Sequence, residues 1–403
     1  MKILHTADWH IGKKLHKQDL LEDFNLFRNW LVELIFKEKI NVLLISGDIF
    51  DLSNPSNEAQ KIYYKSLVQL KKTGVKIIIT GGNHDSPSML NAPKQLLDEF
   101  EITVIGGLPS DLKETLIPIK NEANEICLVI AAIPYLRNNE IQSDEVAKNY
   151  EERVTNLRQG IENQYKNVAK LAKENYPTIP CIAMGHLFAK GVSTSESERD
   201  IQIGNQASVE ASQFGDYFSY IALGHIHKPQ RVNSTTPTFY SGSPIQLSFS
   251  EKEDKKRVLI IDTNKSFDPT SIEIPCFRKL LLLKGNLIQV KEKLLSLTTE
   301  SSSISLKNLI EIEVVEQKHD PQVNFQLIEL IENFSNPNFL IVKHRIRFEE
   351  EIKKMGSLNE NEKQLKEMKV QEVFNKRLEQ TELPKEKKQL LFEALEELIN
   401  EAQ

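Results

Sequence analysis

Tyr220-Ile221-Ala222-Leu223-Gly224-His225-Ile226-His227 is a short apolar run that stops at a glycine and then offers two histidines one residue apart. Residues two apart in an extended chain point the same way, so His225 and His227 address one side of a cleft from a single strand end. The pattern recurs four times. Lys2 to Ala7 leads into Asp8-Trp9-His10, Asn41 to Gly47 into Asp48, Val75 to Gly82 into Asn83-His84-Asp85, and Cys181 to Gly185 into His186. Apolar runs of strand length are what buried strands of a layered α/β protein look like. Ligands collect beyond the carboxyl ends of such strands.

With 403 residues the chain has room for two or three domains. Apolar residues make up 40% and charged ones 27%, an ordinary globular balance. The unbroken apolar runs are too short for a transmembrane helix, so no membrane association is expected. Met1-Lys2-Ile3 enters a strand pattern at once and reaches Asp8, and a cleaved signal peptide would remove the site; none is expected. Cys127, Cys181 and Cys276 lie far apart in apolar surroundings, which suits small buried hydrophobes in a reducing cytoplasm. A net charge of −6 argues against a chain that grips nucleic acid by its overall charge, since phosphate neutralisation supplies most of that affinity. Any such binding must come from a local patch, from metals or from a second protein.

The stretch 1–275 alternates strand-like and helical patterns and is expected to form an α/β domain of two facing sheets flanked by helices. Leu20 to Lys39 and Asn57 to Thr73 read as amphipathic helices, the second stopped by Gly74. Gln142 to Asn175 reads as a polar, solvated helical excursion. Val104-Ile105, Cys127 to Ile133, Thr238 to Tyr240 and Arg257 to Asp262 read as strands, the last two completing the second sheet. Residues 276–350 follow a βαβαβ order and are expected to form a small separate α+β domain. Residues 351–403 are charged and helical, with stripes at Leu365, Met368, Val373, Phe374 and Leu378 and at Leu391, Leu395, Leu398 and Ile399. Such a helical hairpin must bury its stripes on its own domain or on a partner protein.

Asp8, His10, Asp48, Asn83, His186, His225 and His227 form a pool of oxygen and nitrogen donors without cysteine. They exceed what one four- to six-coordinate ion takes, so the economical reading is two ions sharing a carboxylate, with one oxygen of Asp48 facing each. Carboxylate, amide and imidazole donors suit a divalent ion, with manganese favoured and iron or zinc open. Paired ions suit phosphoryl hydrolysis. His84, beside Asn83, is expected to stabilise the transition state and protonate the leaving oxygen, with Asp85 orienting its ring and raising its pKa. Asp51 is a candidate hydrogen-bonding neighbour of a ligand. Lys13, Lys14, His16 and Lys17 are either solvated or in contact with a phosphate. His5 reads as structural.

The series Asp8-Trp9-His10, Gly47-Asp48-Ile49-Phe50-Asp51, Gly82-Asn83-His84-Asp85, Gly185-His186 and Gly224-His225-Ile226-His227 resembles the calcineurin-like metallophosphoesterase superfamily. His5-Thr6-Ala7-Asp8-Trp9-His10-Ile11-Gly12-Lys13, Ile133 to Arg137, Ala222 to Pro229 and Tyr240 to Pro244 are similar to the bacterial SbcD nuclease family within it. That resemblance implies a manganese-dependent nuclease subunit of an SbcCD complex, degrading double-stranded DNA 3′→5′ from ends and cutting single strands and hairpins in repair, replication and recombination. It implies that Asp8, His10, Asp48 and His227 hold one ion, and Asp48, Asn83, His186 and His225 the other, with His84 catalytic. It further implies that residues 276–350 cap the DNA and that the terminal helices dock on an SbcC-type coiled-coil ATPase, in a homodimer within a heterotetramer. The rival is a small-molecule or protein phosphoesterase with the same dinuclear core. Leu52-Ser53-Asn54 after Asp51, where many protein phosphatases of this superfamily continue the motif with Asp-Arg-Gly, weighs against the protein-phosphatase branch. A third reading is a non-enzymatic scaffold for a DNA-tethering ATPase.

Overall fold

Each apolar run forms a strand, and the alternation of its side chains decides where the layers lie. The computed structural model describes residues 1–141, 150–199, 201, 208–214, 217–297, 306–349 and 391. Lys2–Thr6, Val42–Ser46, Lys76–Thr80 and Ile102–Ile105 run parallel in one sheet. Ile126–Ala132, Cys181–His186, Phe218–Gly224 and Thr238–Tyr240 run parallel in a second. Val42 and Leu44 enter the layer between the sheets with Ile78, Ile130, Ile182 and Ala222. Leu43 and Ile45 point the other way, onto Phe24, Phe27 and Leu31 of the Leu21–Glu38 helix and Leu67 and Leu70 of the Asn57–Lys71 helix. Burying each large aliphatic side chain contributes roughly 1.5–3 kcal/mol, so register is fixed wherever both faces are covered. The two-sheet sandwich flanked by helices is therefore the observed architecture. Both sets of parallel strands deliver their carboxyl ends to one edge.

Two expectations need correction. The polar helix spans Tyr150–Asn175 and is not a solvated excursion. Val154, Leu157, Ile161, Tyr165, Val168 and Ala172 are all buried in one stripe against Val129, Ala183 and Ile221 of the second sheet. Their three- and four-residue spacing is helical, but interleaved charged residues dilute it in the sequence; residues 142–149 lie outside the described residues. The Arg257–Asp262 strand does not extend the second sheet. It pairs antiparallel with Lys2–Thr6 in the first, and Ser266–Glu273 pairs beyond it. Val42–Ser46 occupies one edge of Lys2–Thr6, and the returning strand closes the other. It is apolar on both faces, with Val258 and Ile260 on the helix side and Ile261 between the sheets.

Beyond Pro275 the elements follow the order read from the sequence. They are Leu280–Gly285, the helix Leu287–Leu295, Asn308–Glu316, the helix Pro321–Glu332 and Phe339–Phe348, with the three strands in one sheet in chain order. Asn286 and Gln289 cap the first helix reciprocally, and Asp320 caps the second ahead of Pro321. By proximity the described residues divide into two compact units. One takes Met1–Leu283, Leu297–Ile312 and Ser335–Lys343; the other takes Lys284–Ser296, Glu313–Phe334 and what is described from His344 onward. In the second, Val290, Leu294, Val314, Val323 and Leu327 are buried. Glu313 there meets Lys284 at 2.8 Å and also pairs with Arg345. The expected helical hairpin lies outside the described residues apart from Leu391. Among the described residues no helix is long and apolar enough to cross a membrane.

His5 is wholly buried between the sheets, where its Nδ1 lies 3.0 Å from the Tyr220 hydroxyl. Burial lowers its pKa to about 3. The unfolded imidazole takes up a proton near 6.5, so acid favours the unfolded chain throughout that window, by about 1.4 kcal/mol per pH unit. His5→Gln keeps a hydrogen-bonding group without the titration. Urea unfolding at pH 7 and pH 4.5 should show the wild type losing roughly 3 kcal/mol more than this variant over that interval; parallel losses would show that His5 does not carry the acid sensitivity.

Candidate metal centre

The carboxyl edges of the two sheets come close enough that only glycine fits at several points. A Cβ at Gly82 would strike the Asp48 carboxylate and amide, and Gly47, at φ +83°, lies against the His186 ring. Tight approach continues in the backbone of the candidate ligands. Asp8, His10, Asp48 and His225 all have positive φ, at 54°, 43°, 48° and 99°. Non-glycine residues rarely adopt that region, and the strain persists only where the surroundings hold it. Here they do. Asp8 N–H donates to Gly47 O and His10 N–H to Asp48 O, while His225 N–H donates to Asp8 Oδ1 at 2.8 Å and His84 N–H to Asp48 Oδ1 at 2.9 Å.

All seven expected donors meet in this pocket. Asp8, His10, Asp48 and His227 place donor atoms within 4.8 Å of one another, and so do Asp48, His186 and His225. Asn83 completes the second group, with Oδ1 2.9 Å from His186 Nε2 and 3.2 Å from His225 Nδ1. Asp48 belongs to both groups. The expected division of its two oxygens differs in detail. Oδ1 accepts the His84 amide, and Oδ2 stands between the groups, 3.5 Å from His10 Nε2 and 3.3 Å from His186 Nε2.

The electrostatics favour added positive charge. Burial, reinforced by Asp48, pushes the Asp8 carboxyl up to about 7. Burial opposes ionisation of Asp48 too, yet His186, His84 and His10 hold it well below the usual carboxylate range. Despite its own burial, His186 rises to about 9 because Asp48 and Asp8 face it. His225, buried beside His186, falls well below the usual histidine range. Asp8 Oδ2 and His225 Nε2 are buried with no hydrogen-bond partner among the described residues, an expensive condition for polar atoms unless something is coordinated there. The donor set and these orphan atoms fit divalent metal ions.

His84 stands outside these two groups but forms a third close set with His10 and Asp51, its ring 4.7 Å from that of His10. Its orientation has a different source from the one expected. Asp85 does not reach the ring; its carboxylate accepts from the backbone N–H of Ile49 and Phe50, both at 3.0 Å, and of Gly82 at 2.8 Å. His84 Nδ1 instead donates to the Asp51 carbonyl at 2.7 Å. Nor is its pKa raised, because burial lowers it to about 4. Asp85, pushed up to about 6 by burial and Asp48, still ionises below neutrality. It ties the loop after one ligand strand to the loop after the next.

The basic loop divides. Lys13 Nζ meets Asp51 Oδ1 at 3.0 Å, and that carboxylate also lies 3.4 Å from His10 Nδ1. Lys14 and Lys17 are exposed, and His16 stacks on Phe249 with 5.9 Å between centroids. Nothing in the sequence hints at a polar group behind His227. Ser197 Oγ lies 2.6 Å from His227 Nδ1 and donates to buried Glu251, which pairs with Lys256 at 2.5 Å. Glu251 and Lys256 sit in the run Glu251-Lys252-Glu253-Asp254-Lys255-Lys256, charged at every position. Arg137, at the end of the Ile133 to Arg137 stretch, donates to Asp85 O at 2.9 Å and lies over the Tyr135 ring.

Comparison with known proteins agrees with this geometry. The pattern of the calcineurin-like phosphoesterase family matches residues 1–229, and that of the type 5 capsule protein repressor C-terminal domain matches 276–382. The SbcD component of the nuclease SbcCD of Escherichia coli K12 is 30% identical over 397 residues, covering 97% of this chain and 96% of that protein. Its counterpart in Rhodobacter capsulatus is 34% identical over 68% of this chain and 69% of its own, and that of Bacillus subtilis 32% over the same shares.

The placement of Asp85 yields a test. Asp85→Asn would set an amide against the Phe50 N–H and weaken the remaining bonds, costing about 2 kcal/mol. Urea unfolding of the variant should show that loss, with weaker divalent-ion uptake alongside it. A stability within about 0.5 kcal/mol of wild type would show that the three-way carboxylate bond does not hold the two loops together.

Proposed function

The chain belongs to the calcineurin-like phosphoesterase family, and from that premise we propose that it is the DNA-cleaving subunit of an SbcCD-type complex, a metal-dependent phosphodiester hydrolase. The observation that carries the reading is the pair of buried donor groups sharing Asp48 at the meeting edge of the two sheets. In this reading Asp8, His10, Asp48 and His227 hold one divalent ion, and Asp48, Asn83, His186 and His225 hold the other. Manganese fits the mixture of carboxylate, amide and imidazole donors. Such a pair of ions, when bound, lowers the pKa of a water and neutralises charge on the phosphoryl group.

The chain's own residues do the rest. His84 keeps its Nδ1 hydrogen on the Asp51 carbonyl, which fixes the ring and leaves Nε2 available to the phosphate. At neutral pH Nε2 brings a lone pair, because burial keeps the ring uncharged. The anionic substrate raises its proton affinity as it enters, so Nε2 would take a proton from solvent water, leaving hydroxide to the bulk, and pass that proton to the departing oxygen. Asp51 holds His10 and Lys13 in place, and Asp85 holds the loops.

The substrate proposed is DNA, degraded 3′→5′ from double-stranded ends and cut at single strands and hairpins. Residues 1–275 act as the nuclease domain and 276–350 as the cap that seats DNA. Residues 351–403 act as the segment that docks on an SbcC-type coiled-coil ATPase, within an assembly containing two copies of each subunit. An acidic chain then meets DNA with a partner's help. Cys127, Cys181 and Cys276 form no disulfide, in keeping with a cytoplasmic setting.

A nuclease assay on labelled hairpin and blunt duplex DNA, with manganese or magnesium, tests the reading. The wild type should cut with manganese, and His84→Ala should retain its metal while losing roughly 100- to 10,000-fold in turnover. Normal turnover in that variant would overturn the role of His84. Efficient hydrolysis of p-nitrophenyl phosphate with DNA left intact would replace DNA by a small monoester as the substrate.

A further inference from the structure

The backbone and ring of His227 are held at every polar atom that faces away from the metal centre. Its N–H donates to Glu198 Oε1 at 2.9 Å, and its carbonyl accepts from Lys256 Nζ at 3.0 Å and from Ser243 N–H at 3.2 Å. On the ring, a carboxylate can only accept, so the Ser197 hydroxyl gives its hydrogen to Glu251 and takes one from His227 Nδ1–H. That chain of donors fixes the tautomer. The lone pair is left on Nε2, which lies 3.0 Å from His10 Nε2 inside the four-donor group.

The base of this arrangement is an ion pair with almost no solvent access, Glu251 being 0% and Lys256 6% exposed. Such a pair adds little to stability by itself, since desolvation offsets the attraction, unless every remaining donor and acceptor is used. Here they are used. The three hydrogens of Lys256 go to Glu251 at 2.5 Å, His227 O at 3.0 Å and Ser243 Oγ at 2.9 Å. Glu251 also accepts from Leu247 N–H at 3.2 Å and Ser195 Oγ at 3.3 Å. The loop that carries Ser197 is fixed by Ser195 N–H to Glu198 at 2.7 Å and by Glu196 N–H to Ser250 Oγ at 3.1 Å.

We propose that Glu251, acting through Ser197, and Lys256, acting through Glu251 and the His227 carbonyl, are positioning residues for His227, and that the loop from Ser193 to Arg199 thereby sets the affinity of one of the two metal ions. The inference rests on the reading of the metal centre as a two-ion site. A partner hydrogen bond of this kind typically governs about 10- to 100-fold in metal affinity, because it fixes ring orientation and raises the basicity of the ligand nitrogen.

The test is a manganese titration of the full-length, metal-depleted chain, followed by calorimetry and electron paramagnetic resonance. The wild type should take up two ions as a coupled pair. Ser197→Ala, a change in a half-buried loop residue, should weaken one of the two by roughly 10- to 100-fold, reduce the signal of the coupled pair and leave the affinity for the other ion unchanged. Ser197→Thr, which restores a hydroxyl, should recover the coupled signal. Glu251→Gln should show the same selective loss where it folds; Ser197→Ala carries the test where it does not. Wild-type affinity for both ions in Ser197→Ala would overturn the inference while leaving the metal centre intact. So would equal weakening of both ions with a lowered melting temperature and no recovery by threonine. A wild type that binds no manganese would overturn the metal centre itself, and the inference with it.

Discussion

Two buried carboxylates, Asp8 and Asp48, set the terms for everything around them. Neither could sit ionised in an apolar interior alone. Each therefore has one oxygen satisfied by a backbone amide from a neighbouring strand end, His225 to Asp8 and His84 to Asp48. These two bonds link Asp8 and Asp48 in the first sheet's strand ends to His84 and His225 in loops after strands of both sheets. Asp48 Oδ2 faces the His10 and His186 imidazoles, and Asp8 Oδ2 is buried without a hydrogen-bond partner among the described residues. Packing between the sheets and electrostatics at their edge are thus one problem: the layer of Val42, Leu44, Ile182 and Ala222 brings the edges together, and the carboxylates decide what can occupy the junction.

Much of this is legible in the sequence because strand ends have a simple grammar. Apolar runs followed by small residues and then Asp, Asn or His mark a buried strand meeting a polar edge, and all seven donors read that way come together. What is not legible involves partners distant in sequence or hidden by composition. The orienting group of His84 is a backbone carbonyl, that of Asp51, which no residue type announces. Asp85 turns inward to backbone amides because the loop after Gly82 folds back over Ile49 and Phe50. Glu251 and Lys256 are buried within a charged run that looks like any surface turn. The Tyr150–Asn175 helix hides its apolar stripe among charges.

The returning strand is hard to place for a related reason. A run such as Arg257–Asp262 carries no label for the sheet it joins, and nearness in sequence to Thr238–Tyr240 suggests the second. The free edge of Lys2–Thr6 decides otherwise. An unpaired edge on the strand that leads into Asp8 would leave backbone donors and acceptors open to another chain, and covering it secures both the sheet and the strand end from which that carboxylate projects.

That closure has a consequence for how the molecule comes into being. During synthesis Lys2–Thr6 emerges ahead of the other described strands, yet its second neighbour, Arg257–Asp262, follows only after the strands of the second sheet. The first strand must wait half-paired beside Val42–Ser46 while the whole second sheet is translated. Contacts this distant in sequence form slowly. Until Arg257–Asp262 has been made, one edge of Lys2–Thr6 has no partner, so the strand that leads into Asp8 gains its full support only after every donor of the cleft is present in the chain.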